Sequence, residues 1–359
     1  MEILFTGAGD LLPEFRMAAP TLVWRRIAER MSALTRREHP MLRSYDRLQL
    51  RMLLRGRKFD VMYANTAATW PLVQALEGRY RSLIWHIHEL SYALALSIGA
   101  KRGKEMFSRA DRLISVSDSV SRTLRDEFQV PNERIEMVHG FVPAATPTQE
   151  EGDATRKRIL SRLGWPEDSF VIGGCGTLGW RKGTDLFLQV ARRMVGESPT
   201  RGFRFLWVGG EEGDGESLRF AYEVKALGLA PYCRRISTTA DVSSFYSVMD
   251  VFALTSREDP FPLVMLEAGA QGVPTVCFAG SGGGPEYVAA GAGLVVPYSD
   301  TAEFAKQVFV LAQDEEFRRR LGNAAKNLVQ SHHSPDGQCQ KLLKCVERCT
   351  ATTVSARSK

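Results

Sequence analysis

SREDPFPLVMLEAGAQGVP, residues 256–274, decides how this chain is read. An apolar run, Val251-Phe252-Ala253-Leu254, precedes it and reads as a buried strand. The acidic pair Glu258 and Asp259 follows, and two prolines bracket Phe261. Pro262 stands where a helix can begin, because a helix start leaves that N–H unbonded anyway. The expected helix carries Leu263, Leu266 and Ala270 on one face and Glu267 in its second turn. A strand end, an acidic loop and a helix N-terminus together suit a ligand that is both phosphorylated and rich in hydroxyls. Free N–H groups at the helix start match phosphate oxygens. A carboxylate on that helix can accept hydrogen bonds from a ribose diol.

The rest of the chain frames this segment. Its 359 residues are enough for two domains of ordinary size, and 44% hydrophobic with 25% charged residues is a globular composition. No stretch reaches the roughly 20 apolar residues of a membrane span. MEILFTGAGDLLPEF lacks the basic-then-apolar order of a secretory leader. The six cysteines form no CxxC pair, which favours reduced thiols and a cytoplasmic setting. Cys339, Cys345 and Cys349 with His332 and His333 match no standard zinc spacing, so no metal site is expected.

The net charge of +6 is unevenly placed. Residues 13–58 hold eleven Arg and one Lys against four acidic residues, a net of +8, so the remainder is slightly acidic. Arg25, Arg26, Arg30, Arg36, Arg37, Arg43, Arg47, Arg51 and Arg55 interleave with Trp24, Ile27, Met31, Leu34, Leu48, Met52 and Leu53. This is the pattern of basic amphipathic helices. It reads either as a solvated face or as a contact with an anionic membrane surface or a lipid-phosphate substrate, the membrane contact placing the chain peripherally on the inner membrane face. No basic–aromatic motif accompanies the charge, which argues against a nucleic-acid partner.

Short apolar runs alternate with helical patterns from Lys58 onward. Strands are expected at 59–64, 82–88, 112–116 and 134–138, with helices at 67–76, 89–110 (broken at Gly99 and Gly103) and 118–128. A Pro/Thr/acid-rich stretch, 141–155, reads as a linker. Beyond it, strands are expected at 170–173, 203–208, 251–254, 274–278 and 293–296. The helices between them lie at 156–163, 184–195, 217–227, 242–248, 263–271, 301–313 and 316–330. A last helix at 337–349 precedes a polar tail. Alternation of this kind predicts an α/β chain of two Rossmann-like, doubly wound domains facing a cleft. The expected boundaries are 1–145, 146–335 and a C-terminal helix and tail at 336–359.

The second domain opens with FVIGGCGTLGWRKGTDLF, residues 170–187. A strand runs into a glycine-rich turn that includes Gly176, and Arg181 and Lys182 follow. Glycines let a backbone approach a ligand closely, and the two cations can neutralise a diphosphate. Gly174 to Gly179 also satisfies GxGxxG, the weak form of a dinucleotide signature, which keeps an NAD-dependent oxidoreductase as an alternative. Against it, four residues separate the last glycine from the helix, and no acidic residue stands at the ribose-contacting distance.

Taken together, these segments resemble the family-four retaining glycosyltransferases, which have the GT-B fold. WRKGTDLF resembles the family's Lys-Gly donor loop. REDPFPLVMLEAGAQGVPTV resembles its paired-acid motif, with Asp259 and Glu267 eight positions apart. HIHEL, ADRLISVSDSV, IEMVHGFVP and AGSGGGPEYV resemble its other segments, in the family's order, over about residues 59–331. The resemblance implies a nucleoside-diphosphate sugar as donor substrate, no cofactor, no metal, and a glycan or lipid-linked acceptor. It implies that Lys182, with Arg181, holds the donor diphosphate and stabilises its leaving charge. Gly176 lies under the donor, Leu263 and Val264 offer N–H groups to phosphate, and Glu267 takes the ribose hydroxyls. Glu258 or Asp259 contacts the transferred sugar, and His88 faces the donor sugar or the acceptor.

Two departures stand out. Thr177 occupies the position of the family's usual Arg, and Asp259 that of its usual Glu. The first domain also shows no apolar strand between Gly9 and Lys58, so the chain is expected to lack that domain's first strand, loop and helix. A nucleotide-sugar-binding pseudoenzyme or partner subunit is the corresponding alternative function.

Overall fold

The computed structural model of the protein describes residues 2–5, 12–23, 40–143, 149–198 and 201–355. The arginine-rich stretch 24–39, the middle of the expected linker and the last four residues lie outside the described residues. In the first domain, β1 (Ile3–Phe5) and β2 (Thr21–Val23) form a parallel pair. The strands β3 (Phe59–Asn65), β4 (Tyr80–Ile87), β5 (Arg112–Ser115) and β6 (Ile135–Met137) form a parallel sheet in that order. Leu4 and Leu22 pack against the buried Leu50, Leu54, Leu72 and Leu76, which ties the N-terminal pair to the helix Pro40–Leu54. Strand β2 corrects the expectation of no strand between Gly9 and Lys58. Its three residues are only half-buried, too few and too mixed to stand out as an apolar run.

The expected 89–110 helix is two helices, Ser91–Ser97 and Ala100–Ser108. The break falls at Gly99, and Gly103 stays inside the second helix, tight against the Phe128 ring.

The second domain begins with the helix Gln149–Leu163, bound to the sheet by Arg156, which donates to the Val248 and Ser169 carbonyls and to Asp250. Its six parallel strands are β7 (Phe170–Cys175), β8 (Phe203–Val208), β9 (Cys233–Ile236), β10 (Val251–Leu254), β11 (Thr275–Phe278) and β12 (Gly293–Val296). They are ordered β9-β8-β7-β10-β11-β12. Strand β9 was not expected; two of its four residues are arginines, which an edge position tolerates. The order reverses between β7 and β10, the crevice where ligands of such sheets bind. The glycine loop leaves β7 and the acidic loop leaves β10, so adjacency of these strands brings the two motifs together.

The last helix, Pro335–Ser355, runs six residues beyond the expected 337–349 and returns to pack on β3 and β4 of the first domain. It buries Cys345 and Cys349 against Ile84, Ile114 and Val138. Burial pushes the Cys345 thiol up to about 12, as befits a core thiol.

Candidate functional site

The glycine loop and the acidic loop are joined backbone to backbone. The Arg257 and Glu258 N–H groups donate to the Arg181 carbonyl at 2.9 and 3.4 Å. Thr255 Oγ1 donates to the Lys182 carbonyl at 3.2 Å. Gly183, at φ 63°, allows this approach: a Cβ there would stand 2.0 Å from the Thr255 oxygen. The glycine turn after β11 holds the other side. Asp259 N–H donates to the Ser281 carbonyl at 2.7 Å, and Gly283 N–H to the Asp259 carbonyl at 3.1 Å. A Cβ on Gly282, at φ 122°, would lie 1.9 Å from that same Asp259 oxygen.

Within this frame Lys182 Nζ pairs with Asp259 Oδ2 at 2.5 Å, the two side chains only 13% and 7% exposed. Ser256 Oγ donates to the same oxygen at 3.3 Å. The cation expected on a diphosphate and the acid expected on a sugar therefore hold each other. At this burial, removing either partner strands a charge. Gly176, at φ 139°, passes beneath the Lys182 side chain. Arg257 braces the loop from outside through a bidentate pair with Asp185 at 2.8 and 2.7 Å, its guanidinium 5.4 Å from the Trp180 ring centre. Burial opposes ionisation of Asp185, but the hydrogen bonds and charge of Arg257 prevail and hold its carboxyl below the usual range.

The helix Leu263–Ala270 starts beside this pair. Leu263 and Val264 head it, where N–H groups have no carbonyl one turn back. Leu263 is exposed and Val264 half-buried. Glu267, one turn on, accepts from Tyr246 Oη at 2.6 Å.

His86 and His88 contribute the first-domain wall, with ring centres 4.0 Å apart. His88 Nε2 bonds Asn65 Oδ1 at 2.8 Å. Oδ1 only accepts, so Nε2 carries the proton and Nδ1 is the free acceptor. His88 is open to the cleft, yet surrounding protein desolvates the ring and lowers its pKa, with Glu89 opposing. Burial, and then His88, pull His86 down to about 3.

Two cavities lie between the domains. One, of about 400 Å³, brings His86 and His88 together with Arg181, Asp259, Phe261 and Leu263. The other, of about 490 Å³, is lined by Tyr92, Trp180, Arg257 and Glu258 among others. The adjacent acids thus part company: Asp259 faces His88, and Glu258 faces away from it. Glu258 Oε1 accepts from the Tyr92 N–H of the first domain at 2.8 Å, and burial raises its pKa against that bond. A second carboxylate also bridges the domains. Glu286 accepts from the Asp118 N–H at 3.0 and 3.2 Å.

Of the residues singled out in the sequence, Arg181, Asp259, Leu263 and His88 line one cavity, Lys182 is paired with Asp259 beside it, and Glu267 lies one helical turn on, held by Tyr246. Reading by sequence missed Tyr246, Asn65, Glu286 and the Arg257–Asp185 brace. Only the last had a visible signal, Asp185 in the first turn of its helix. Asp214 caps the helix Gly215–Ala226 by accepting from Ser217 N–H at 2.7 Å. Among the described residues, no three His, Cys, Asp or Glu side chains group as a metal site. Nor do the GxGxxG glycines open a helix: Gly174 lies inside β7, and the helix Thr184–Glu197 follows a short 3-10 turn, Trp180–Lys182.

Comparison with known proteins agrees with this arrangement. The family model described as glycosyl transferases group 1 matches residues 155–328, and that described as glycosyltransferase family 4 matches residues 3–145. The D-inositol 3-phosphate glycosyltransferase of Corynebacterium kroppenstedtii is 29% identical over 229 residues, 62% of this chain and 50% of that protein. The protein of the same name from Salinispora arenicola is 28% identical over 231 residues, 62% of this chain and 52% of that one. The matched part of the chain spans about half the length of these curated relatives. Among solved structures, Anabaena HepE in complex with UDP-glucose superposes with a TM-score of 0.79 at 16% identity, covering 97% of this chain and 91% of that one. Sucrose-phosphate synthase from Thermosynechococcus elongatus gives 0.78 at 17% identity, covering 98% and 89%. With one family model on each domain and two Rossmann-like domains facing across a cleft, the chain belongs to the family-four, group 1 glycosyltransferases of the GT-B fold.

Proposed function

We propose that this chain is a retaining glycosyltransferase that moves a sugar from a nucleoside diphosphate donor to a hydroxyl of a glycan or lipid-linked acceptor. The observation that carries this reading is the meeting of Lys182, Asp259 and the Leu263 helix start at the β7/β10 crevice, across one cavity from His88. The names of the relatives and the UDP and UDP-glucose complexes of HepE support it.

The diphosphate draws Lys182 from Asp259 and lies against Arg181 and the Leu263 and Val264 N–H groups. Glu267 accepts the ribose hydroxyls. Asp259, released, accepts hydroxyls of the sugar, while Glu258 stays on the first-domain backbone. The bond from the anomeric carbon to the diphosphate oxygen breaks, and its electron pair leaves with the diphosphate. Lys182, Arg181 and the helix dipole stabilise that charge, so the reading calls for no divalent ion. The acceptor oxygen bonds the anomeric carbon on the face the diphosphate leaves, and its proton passes to the departing phosphate oxygen. Configuration is retained without a carboxylate nucleophile. His88, neutral and with Nδ1 free, orients a hydroxyl at the same place. The donor is a substrate, and no cofactor takes part.

The arginine-rich sequence of residues 13–58 is the proposed contact with an anionic membrane surface on the cytoplasmic side. In the helix Pro40–Leu54, Leu50 and Leu54 face the core, while Leu48, Arg51 and Met52 are exposed. Among the described residues no helix is long and apolar enough to cross a membrane.

A thermal-shift panel of UDP, GDP, ADP, their common sugars and NAD tests the reading, since a ligand of the native state raises the melting temperature. A selective shift with one nucleoside diphosphate, lost in Lys182→Ala, is expected. A shift with NAD alone would overturn it. Donor binding without transfer to any acceptor would favour the alternative of a nucleotide-sugar-binding pseudoenzyme or partner subunit.

A further inference from the structure

We infer that Tyr246 is a positioning residue that sets how Glu267 reads the ribose of the donor. The inference rests on the donor-binding reading above and adds to it a residue outside both sequence motifs. Tyr246 ends the short helix Ser243–Tyr246 and is 1% exposed. Its ring packs edge-on to Phe252 of β10, the centres 6.1 Å apart, which leaves the hydroxyl a single direction. That hydroxyl donates to Glu267 Oε2 at 2.6 Å. Cys175, at the end of β7, lies close to the same tyrosine.

Tyr246 and Glu267 are therefore joined by one short hydrogen bond from a buried phenol to the carboxylate. The carboxylate has two acceptor oxygens. Tyr246 occupies one lone pair of Oε2 and fixes the plane of the group. What remains, Oε1 and the outer lone pair of Oε2, is a fixed pair of acceptors spaced for two vicinal hydroxyls. A glutamate turning freely about its side-chain torsions would present that pair only part of the time. Burial drives the tyrosine pKa upward, so it remains a hydrogen-bond donor at any working pH. The role is selectivity for a cis-diol over a sugar lacking it, because unpaired acceptors reject the analogue.

The test is calorimetric. Whichever of UDP, GDP and ADP binds the wild-type chain most tightly is compared with its 2′,3′-dideoxy counterpart. Wild type should favour the diol form, and Tyr246→Phe should lower that preference about tenfold, the worth of one hydrogen bond to a charged group. In a Glu267→Gln background the tyrosine substitution should leave the preference unchanged. An equal loss for both ligands, or an unaltered preference in Tyr246→Phe, would overturn the inference while leaving the donor reading intact. No binding of any nucleoside diphosphate by wild type would overturn the donor reading, and the inference with it. Should Tyr246→Phe fail to fold, Glu267→Asp serves, because it keeps the charge but withdraws it from the tyrosine hydroxyl. Full diol preference in that variant would also refute positioning.

Discussion

Glu286 and Asp118 meet across the domain boundary. Both carboxylate oxygens of Glu286 accept from the backbone N–H of Asp118, the first residue of the helix Asp118–Asp126. Ser119 adds a bond to the Gly282 carbonyl at 2.9 Å, on the turn that holds Asp259. A first-domain helix end is thus tied to the loop that carries a proposed sugar contact.

This tie makes stability depend on pH. Burial raises Glu286 to about 7, with the Asp118 N–H and Arg122 opposing and the Asp118 charge adding. A carboxyl whose folded pKa exceeds its unfolded value binds more protons when folded. Its contribution is fully present below the unfolded pKa and is lost as pH rises through about 7. For a shift of this size the upper bound is about 3 kcal/mol, which solvent screening of the partly exposed carboxylate reduces. Glu286→Gln, which keeps an acceptor but cannot ionise, should gain stability over wild type between pH 5 and 8. Denaturant midpoints at the two pH values check this, and parallel wild-type and variant profiles would rule it out.

Lys182→Ala should do two things at once. Donor affinity falls, and the fold loses about 3–5 kcal/mol because Asp259 is left buried without its cation. Adding Asp259→Asn should restore the melting temperature but not donor binding. A double variant as unstable as Lys182→Ala would show that Asp259 is not the source of the loss.

The neighbouring acids should separate in assay. Asp259→Asn should reduce transfer about 100-fold or more, as expected when a group serving the transition state is removed. Glu258→Gln should keep turnover within about tenfold, since its amide oxygen can still accept from the Tyr92 N–H. Comparing kcat for the two variants decides between them, and equal losses would return Glu258 to the sugar.

His88 should govern the acid side of the rate profile. Burial holds its pKa below the ordinary histidine value, so it is neutral at pH 7 and charges only in more acid solution. Activity should therefore be flat from about pH 7 to 8 in this respect and fall below the usual histidine range. Asn65→Ala, which releases Nε2, should lower kcat without weakening donor binding. A loss confined to donor KM would contradict the assigned tautomer.

Much of this was legible in the residues. Proline before an apolar helix, an acidic pair after a buried strand, and two cations after a glycine turn are local signals, because a few neighbours decide each. Strand β9 was hidden by its arginines and β2 by its brevity, since an edge or short strand needs little apolar surface. Glu258 and Asp259 looked interchangeable because their different directions come from backbone pairing with Ser281 and Gly283, not from side-chain type.

The sequence by itself determined two α/β domains, the motifs at the strand ends, and the presence of a cationic loop and an acidic helix start in one domain, since periodicity, turn chemistry and charge are read over short windows. Tertiary structure alone decided that Lys182 rests on Asp259, 77 residues away, that Tyr246 holds Glu267, and that Glu258 and Glu286 bind first-domain helices. Strand order and domain contact set those distances, and no local preference of the chain encodes which distant residues a sheet will bring side by side.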